Sequence, residues 1–237
     1  MVERFFLTGS RKFEIGDAIS ILSGPPCSGK TSLLFQFAFN SAEKGNAVLL
    51  LCHRRTLQSN PPFLSQGVDP SSDIFRRIQI KYVDDDEGIK NYFAAFHLHP
   101  TFPTSIIVDN FGHFFNERNC QERYNNPRGR EVAIVRVLAL CRNAITHANK
   151  SSRCELLLSD THKGDTPRLL YIYKRWASCI YTIKEGAGPG PGSFVVRKTY
   201  SNVANAKPTS SAKYSIALQY LILEGLVEES DHHTKIS

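Results

Sequence analysis

Gly24-Pro25-Pro26-Cys27-Ser28-Gly29-Lys30-Thr31 is the stretch from which the rest of this chain can be read. It fits the pattern G-x-x-x-x-G-K-[ST] and stands between an apolar run, Ala18-Ile19-Ser20-Ile21-Leu22, and a helix-forming run, Ser32-Leu33-Leu34-Phe35-Gln36-Phe37-Ala38. Strand, glycine-rich turn and helix in that order form a phosphate-binding loop. The two glycines let backbone N–H groups turn inward around phosphate oxygens, and the positive end of the following helix adds to the attraction. The pattern therefore assigns Gly24, Pro25, Pro26, Cys27, Ser28, Gly29, Lys30 and Thr31 to a nucleotide site. Lys30 is the residue that reaches the β- and γ-phosphates, and Thr31 offers its hydroxyl to a metal, so ATP with Mg²⁺ is the expected ligand pair.

Working outward, Gly45-Asn46 stops the first helix, and Ala47-Val48-Leu49-Leu50-Leu51-Cys52 is a second fully apolar strand. Strand, helix, strand is the unit of a parallel sheet, which predicts an α/β fold with a mainly parallel sheet flanked by helices. Residues 53–75 read as loop, and Ile78-Gln79-Ile80-Lys81-Tyr82-Val83 as an alternating strand. Asp84-Asp85-Asp86-Glu87 reads as a solvated acidic start to a helix over about 88–97, which Pro100 and Pro103 close. Ser105-Ile106-Ile107-Val108-Asp109 then has the Walker B form. Its carboxylate emerges beside the phosphate loop, so Asp109 joins Thr31 as a metal-site residue.

From Phe111 to Arg130 the sequence turns polar and basic and predicts a long mobile loop. Its Phe114, Phe115 and Tyr124 are open to two readings, stacking on bases or packing locally. A helix follows over about 131–149, with Ile134, Val137, Leu138, Cys141 and Ile145 at three- and four-residue steps. Glu155-Leu156-Leu157-Leu158-Ser159-Asp160 is a further buried strand whose polar end faces the nucleotide. Residues 181–184 and 194–198 flank a Gly/Pro-rich tip and predict an antiparallel hairpin. Residues 201–211 resemble a linker, and the apolar run Tyr214 to Leu223 predicts a helix continuing to about Glu228. On that reading residues 1–205 are the core, and 206–237 are a linker, a C-terminal helix and a polar tail.

The composition agrees with one large domain. The chain has 237 residues, 41% of them hydrophobic, which is enough to bury a sizeable core. A formal charge of +7 suits an anionic partner without demanding one. The six cysteines are scattered, with no zinc-finger spacing, and read as reduced thiols. The N-terminal residues lack a signal-peptide layout and no run is long enough to span a bilayer, so a soluble intracellular protein with no membrane partner is expected.

Several stretches together resemble the RecA-type recombinase ATPase core over roughly residues 14–205. They are the phosphate loop, Ile106–Asp109, Asn126-Pro127-Arg128-Gly129-Arg130-Glu131, Leu156–Asp160, and Trp176 followed by Tyr181-Thr182-Ile183-Lys184-Glu185-Gly186. Within that group, residues 49–61 and 75–82 are similar to the small ATPases associated with the SWIM-zinc-finger protein of Shu-type recombination complexes. The resemblance implies a nuclear, ATP-binding paralogue that assists a RecA-like strand-exchange recombinase in homologous recombination, in DNA repair or meiosis. A SWIM-type zinc-finger protein and single-stranded DNA are the implied partners. It places Arg118, Arg123, Arg128 and Arg130 in the first DNA-binding loop and Lys163 in a second, short one. It also exposes a departure. The family's water-activating glutamate follows the second strand, where this chain has Cys52-His53-Arg54-Arg55, and no carboxylate occurs between Glu43 and Asp69. No catalytic residue can be assigned, and slow hydrolysis is expected. The alternatives are a nucleotide-gated structural adaptor, an ATPase whose site a second subunit completes, and a small P-loop kinase. The kinase lacks support because no arginine-rich lid follows a compact helical segment.

Overall fold

The computed structural model describes residues 2–6, 18–162, 169–186, 192–200 and 210–228. Nine strands form one sheet in the order β3-β2-β4-β5-β1-β6-β7-β8-β9. They are β1 (Ile19–Gly24), β2 (Val48–Cys52), β3 (Ile78–Tyr82), β4 (Ser105–Val108), β5 (Glu155–Thr161), β6 (Cys179–Glu185), β7 (Ser193–Tyr200), β8 (Ser210–Ala217) and β9 (Tyr220–Glu228). From β3 to β6 all neighbours are parallel, and from β6 to β9 all are antiparallel. This is the expected α/β, RecA-like arrangement, with two more antiparallel strands than the predicted hairpin supplies.

The central strands β1, β2 and β4 are buried along their whole length, because helices cover both faces. On one face lies α1 (Lys30–Glu43), with the short turn at Val2–Phe5 packed beside it; Phe5 and Phe37 share a core with Leu50, Tyr181 and Tyr214. On the other lie α3 (Asp86–Ala94) and α6 (Pro127–Ala148), whose Ile89, Phe93, Ile134 and Leu138 pack with Ile21, Leu51 and Val108. The short helices α2 (Arg54–Ser59), α4 (Phe111–Phe114), α5 (Arg118–Tyr124) and α7 (Leu170–Trp176) complete the connections.

Several expectations are corrected. The run from Tyr214 to Leu223 is not a helix but parts of β8 and β9, joined through Leu218 and Gln219, which both take positive φ (51° and 65°). Two successive left-handed residues are the geometry of a tight hairpin turn, and they put the apolar residues on a two-residue alternation. Tyr214 and Leu221 are buried, and Ile216 and Leu223 pack beside them, while Tyr220 and Ile222 face outward. The C-terminal segment through Glu228 thus belongs to the same sheet as the core.

Residues 111–130 are not a long loop. They form α4, α5 and the first turn of α6; left-handed Asn110 leads into α4, and left-handed Asn125 divides α5 from α6. Helix α6 begins at Pro127 rather than near Glu131, because Asn126 caps it by accepting a 2.7 Å hydrogen bond from the Gly129 N–H and Pro127 suits the first position. Phe114 and Phe115 are consequently buried, and Tyr124 packs against the core. Local packing, not base stacking, is the role of the two phenylalanines. The acidic run 84–87 is only partly solvated. Asp85 caps α3 through the Gly88 N–H at 3.1 Å, whereas Asp86 is buried and ion-paired with Arg123. Of the second short loop, residues 163–168 lie outside the described residues, and Lys163 with them. No helix among the described residues is long and apolar enough to cross a membrane.

Candidate nucleotide site

The phosphate loop joins the C-terminal end of β1 to α1, at the centre of the sheet. Gly29 has φ +74°, a left-handed conformation, and a Cβ there would collide with the Ile216 side chain of β8. Cys27 is also left-handed, at φ 59°. These turns put the loop's backbone on the concave path that a phosphate cradle needs. Ser28 is buried and closes the loop on itself, donating to the Pro25 carbonyl at 2.8 Å, while its own carbonyl accepts a 2.6 Å hydrogen bond from the Tyr214 hydroxyl.

Lys30 is buried, and its Nζ donates to the carbonyls of Gly24 (3.1 Å) and Pro25 (2.6 Å). Burial pulls its pKa down to about 8, against the attraction of Asp109, Asp160 and Cys27. The amine therefore stands under the loop with its charge incompletely compensated, ready to prefer a phosphate oxygen over a carbonyl.

Asp109 follows β4 and is buried. Its Oδ2 accepts from Thr31 Oγ1 at 2.8 Å and its Oδ1 from Ser159 Oγ at 2.8 Å. Ser159 in turn accepts from the Asn110 N–H at 2.7 Å, and Thr161 donates to the Asn110 side chain at 3.1 Å. Burial raises the Asp109 pKa, opposed by the hydrogen bonds from Ser159 and Thr31 and by the Lys30 charge. The two residues assigned to the metal, Thr31 and Asp109, are thus in direct contact, with a second hydroxyl fixing the carboxylate. A hard divalent cation suits this hydroxyl–carboxylate pair, and the cradle and lysine suit a triphosphate.

The corner where the family's glutamate is expected holds His53 at the N-terminus of α2. Its Nδ1 is buried without a hydrogen-bond partner, and its ring stands edge-on to His113 with centroids 6.1 Å apart. His113 Nε2 lies 2.8 Å from Glu117 Oε1. A carboxylate therefore approaches this corner from α4 and its connection to α5, although none follows β2 in sequence. Arg54 turns away and lies 4.1 Å over the Tyr82 ring.

The four arginines given to DNA binding are divided. Arg118 is exposed and paired with Glu122 at 2.7 Å, and Arg123 is paired with Asp86 and lies 3.8 Å from Asp85. Arg128 is exposed and Arg130 half-buried on the first turn of α6. Sequence reasoning missed Ser159 and Tyr214 as site residues. A serine at the polar end of an apolar strand was a usable signal for the first; Tyr214 was hidden by the helical reading of its segment.

No family model matches the chain. The chain is similar to ATPase SWSAP1 of Homo sapiens, with 25% identity over 178 residues, covering 72% of this chain and 73% of that protein. A RecA-like sheet, a complete phosphate loop with its Walker B partner, and this likeness to ATPase SWSAP1 together make the chain similar to the SWIM-associated branch of RecA-type ATPases.

Proposed function

We propose that this chain is an ATP-binding recombinase paralogue in which nucleotide binding, rather than rapid turnover, does the work. The observation that carries this reading is the contact between Thr31 and Asp109, already locked by Ser159 beside the buried Lys30, in a site with His53 where an activating carboxylate is needed. Lys30, the loop N–H groups and α1 would hold the triphosphate, and Thr31 and Asp109 would hold Mg²⁺, which would supply charge neutralisation to the phosphate oxygens. His53 has no hydrogen-bond partner at Nδ1 to orient its ring as a base, so water activation is poor.

The similarity to ATPase SWSAP1 supports a recombination-related ATPase, and the proposal extends this to homologous recombination in the nucleus. On this proposal the nucleotide-bound form assembles with a SWIM-type zinc-finger protein and a RecA-like strand-exchange recombinase on single-stranded DNA. Arg128 and Arg130, set at the start of α6, contribute phosphate contacts. Affinity capture with wild type and Lys30→Ala side by side tests the assembly. Loss of the zinc-finger partner with Lys30→Ala supports a nucleotide gate; equal capture shows an adaptor indifferent to nucleotide.

A further inference from the structure

A groove of about 580 Å³ opens where β1 begins, lined among others by Ile19, Arg142, Thr146, Lys174, Arg175 and Trp176. It lies at the opposite end of β1 from the phosphate loop, a strand of six residues or about 20 Å away. Among the described residues, three cations line it and no carboxylate does. Arg142 Nη2 donates to the carbonyls of Arg175 (2.9 Å) and Trp176 (2.8 Å), and its guanidinium lies 4.6 Å from the centre of the Trp176 ring. These contacts fix the group without neutralising it. Lys174 and Arg175 are exposed, and neither forms an ion pair among the described residues. This is the reverse of Arg118 and Arg123, whose charges are met by Glu122 and Asp86.

We propose that this groove is a binding site for single-stranded nucleic acid, separate from the nucleotide site. Lys174 and Arg175 take successive backbone phosphates, and the Arg142–Trp176 pair supplies a cationic, aromatic wall for a base or sugar. The local backbone argues for a strand over a free phosphate or mononucleotide. Helix α7 ends here, so it presents carbonyls to the groove and not the N–H cradle that holds an isolated phosphate. A polyanion gains from several separated cations where a single phosphate gains from one. A duplex, with its bases stacked inside, gains nothing from Trp176.

The chain has one tryptophan, so Trp176 reports on its own groove. Titration of the full chain with oligothymidine, followed by tryptophan emission and by anisotropy of a labelled oligonucleotide, tests the proposal. Saturable quenching at low salt is expected, equal in wild type and Lys30→Ala. Lys174→Glu with Arg175→Glu should weaken binding at least about tenfold and lower the slope of log affinity against log salt by about 2. Retained ATP binding by this double variant shows that it folds. Absence of oligothymidine binding, binding without quenching, equal quenching by a duplex or by ATP, or loss of affinity only in Arg128→Ala with Arg130→Ala would each overturn the groove. None of these outcomes bears on whether the phosphate loop binds ATP.

Discussion

The Tyr214 hydroxyl donates a 2.6 Å hydrogen bond to the Ser28 carbonyl, tying strand β8 to the phosphate loop across 186 positions of sequence. Two residues on, Ile216 fills the space above Gly29. The C-terminal antiparallel strands therefore brace the nucleotide cradle directly. Tyr214→Phe keeps the ring but leaves a buried carbonyl unsatisfied, which should cost about 1–3 kcal/mol of stability. It should also weaken ATP binding about tenfold, or about 1.4 kcal/mol, as the loop loses its brace. Thermal unfolding and an ATP titration measure the two effects; an unchanged ATP affinity would show that β8 supports the fold and not the cradle.

Lys30 gives the site a pH limit. Its pKa of about 8 lies below the ordinary lysine value because burial disfavours the charge. A bound phosphate favours the charged form and raises that pKa, so binding draws on protonated Lys30. ATP affinity should be flat below pH 8 and fall above it, approaching about tenfold per pH unit. Titrations across this range decide the matter, and a flat profile in the wild type contradicts the buried amine.

Arg123 is better understood as a structural cation than as a free DNA contact. It pairs with buried Asp86, whose pKa is raised by burial against the opposing Arg123 charge. Because the raised pKa lies above the unfolded value, the ionised carboxylate is a cost at neutral pH that disappears as pH falls. Arg123→Ala should destabilise by about 2 kcal/mol at neutral pH, below the range for fully buried pairs because Arg123 remains in reach of water. The loss should shrink on acidification. Denaturant melts at two pH values test this; an equal loss at both would remove the Asp86 charge from the account.

The pattern of the candidate nucleotide site is legible in the sequence because its parts are local. Gly24 to Thr31 is contiguous, and Asp109 ends an apolar strand, so pattern and position suffice. The brace was not legible. The run Tyr214 to Leu223 is apolar enough to suit either period, and only the left-handed pair Leu218-Gln219 decides for a hairpin. Arg123 was legible as a charge but not as a pair, since the carboxylates Asp85 and Asp86 stand at the start of α3, 37 positions earlier for Asp86. Ion pairing between elements leaves no trace in spacing along one of them.

On the proposed function, His53 takes the position from which a carboxylate would activate water. His53→Glu should therefore raise ATP turnover, by on the order of tenfold or more on the scale of general-base effects, without strengthening ATP binding. Steady-state phosphate release is the measurement, and a variant no faster than wild type would show that the missing glutamate is not what limits the rate.

The central claim is a phosphate loop that binds ATP and turns it over poorly. Its most direct test is the number of ATP molecules bound and hydrolysed per chain at saturating ATP and Mg²⁺, with Lys30→Ala in parallel. The account predicts about one nucleotide bound per chain, lost in Lys30→Ala, with turnover well below the roughly 1–10³ s⁻¹ usual for enzymes. Turnover within that usual range, abolished by Lys30→Ala, would contradict it.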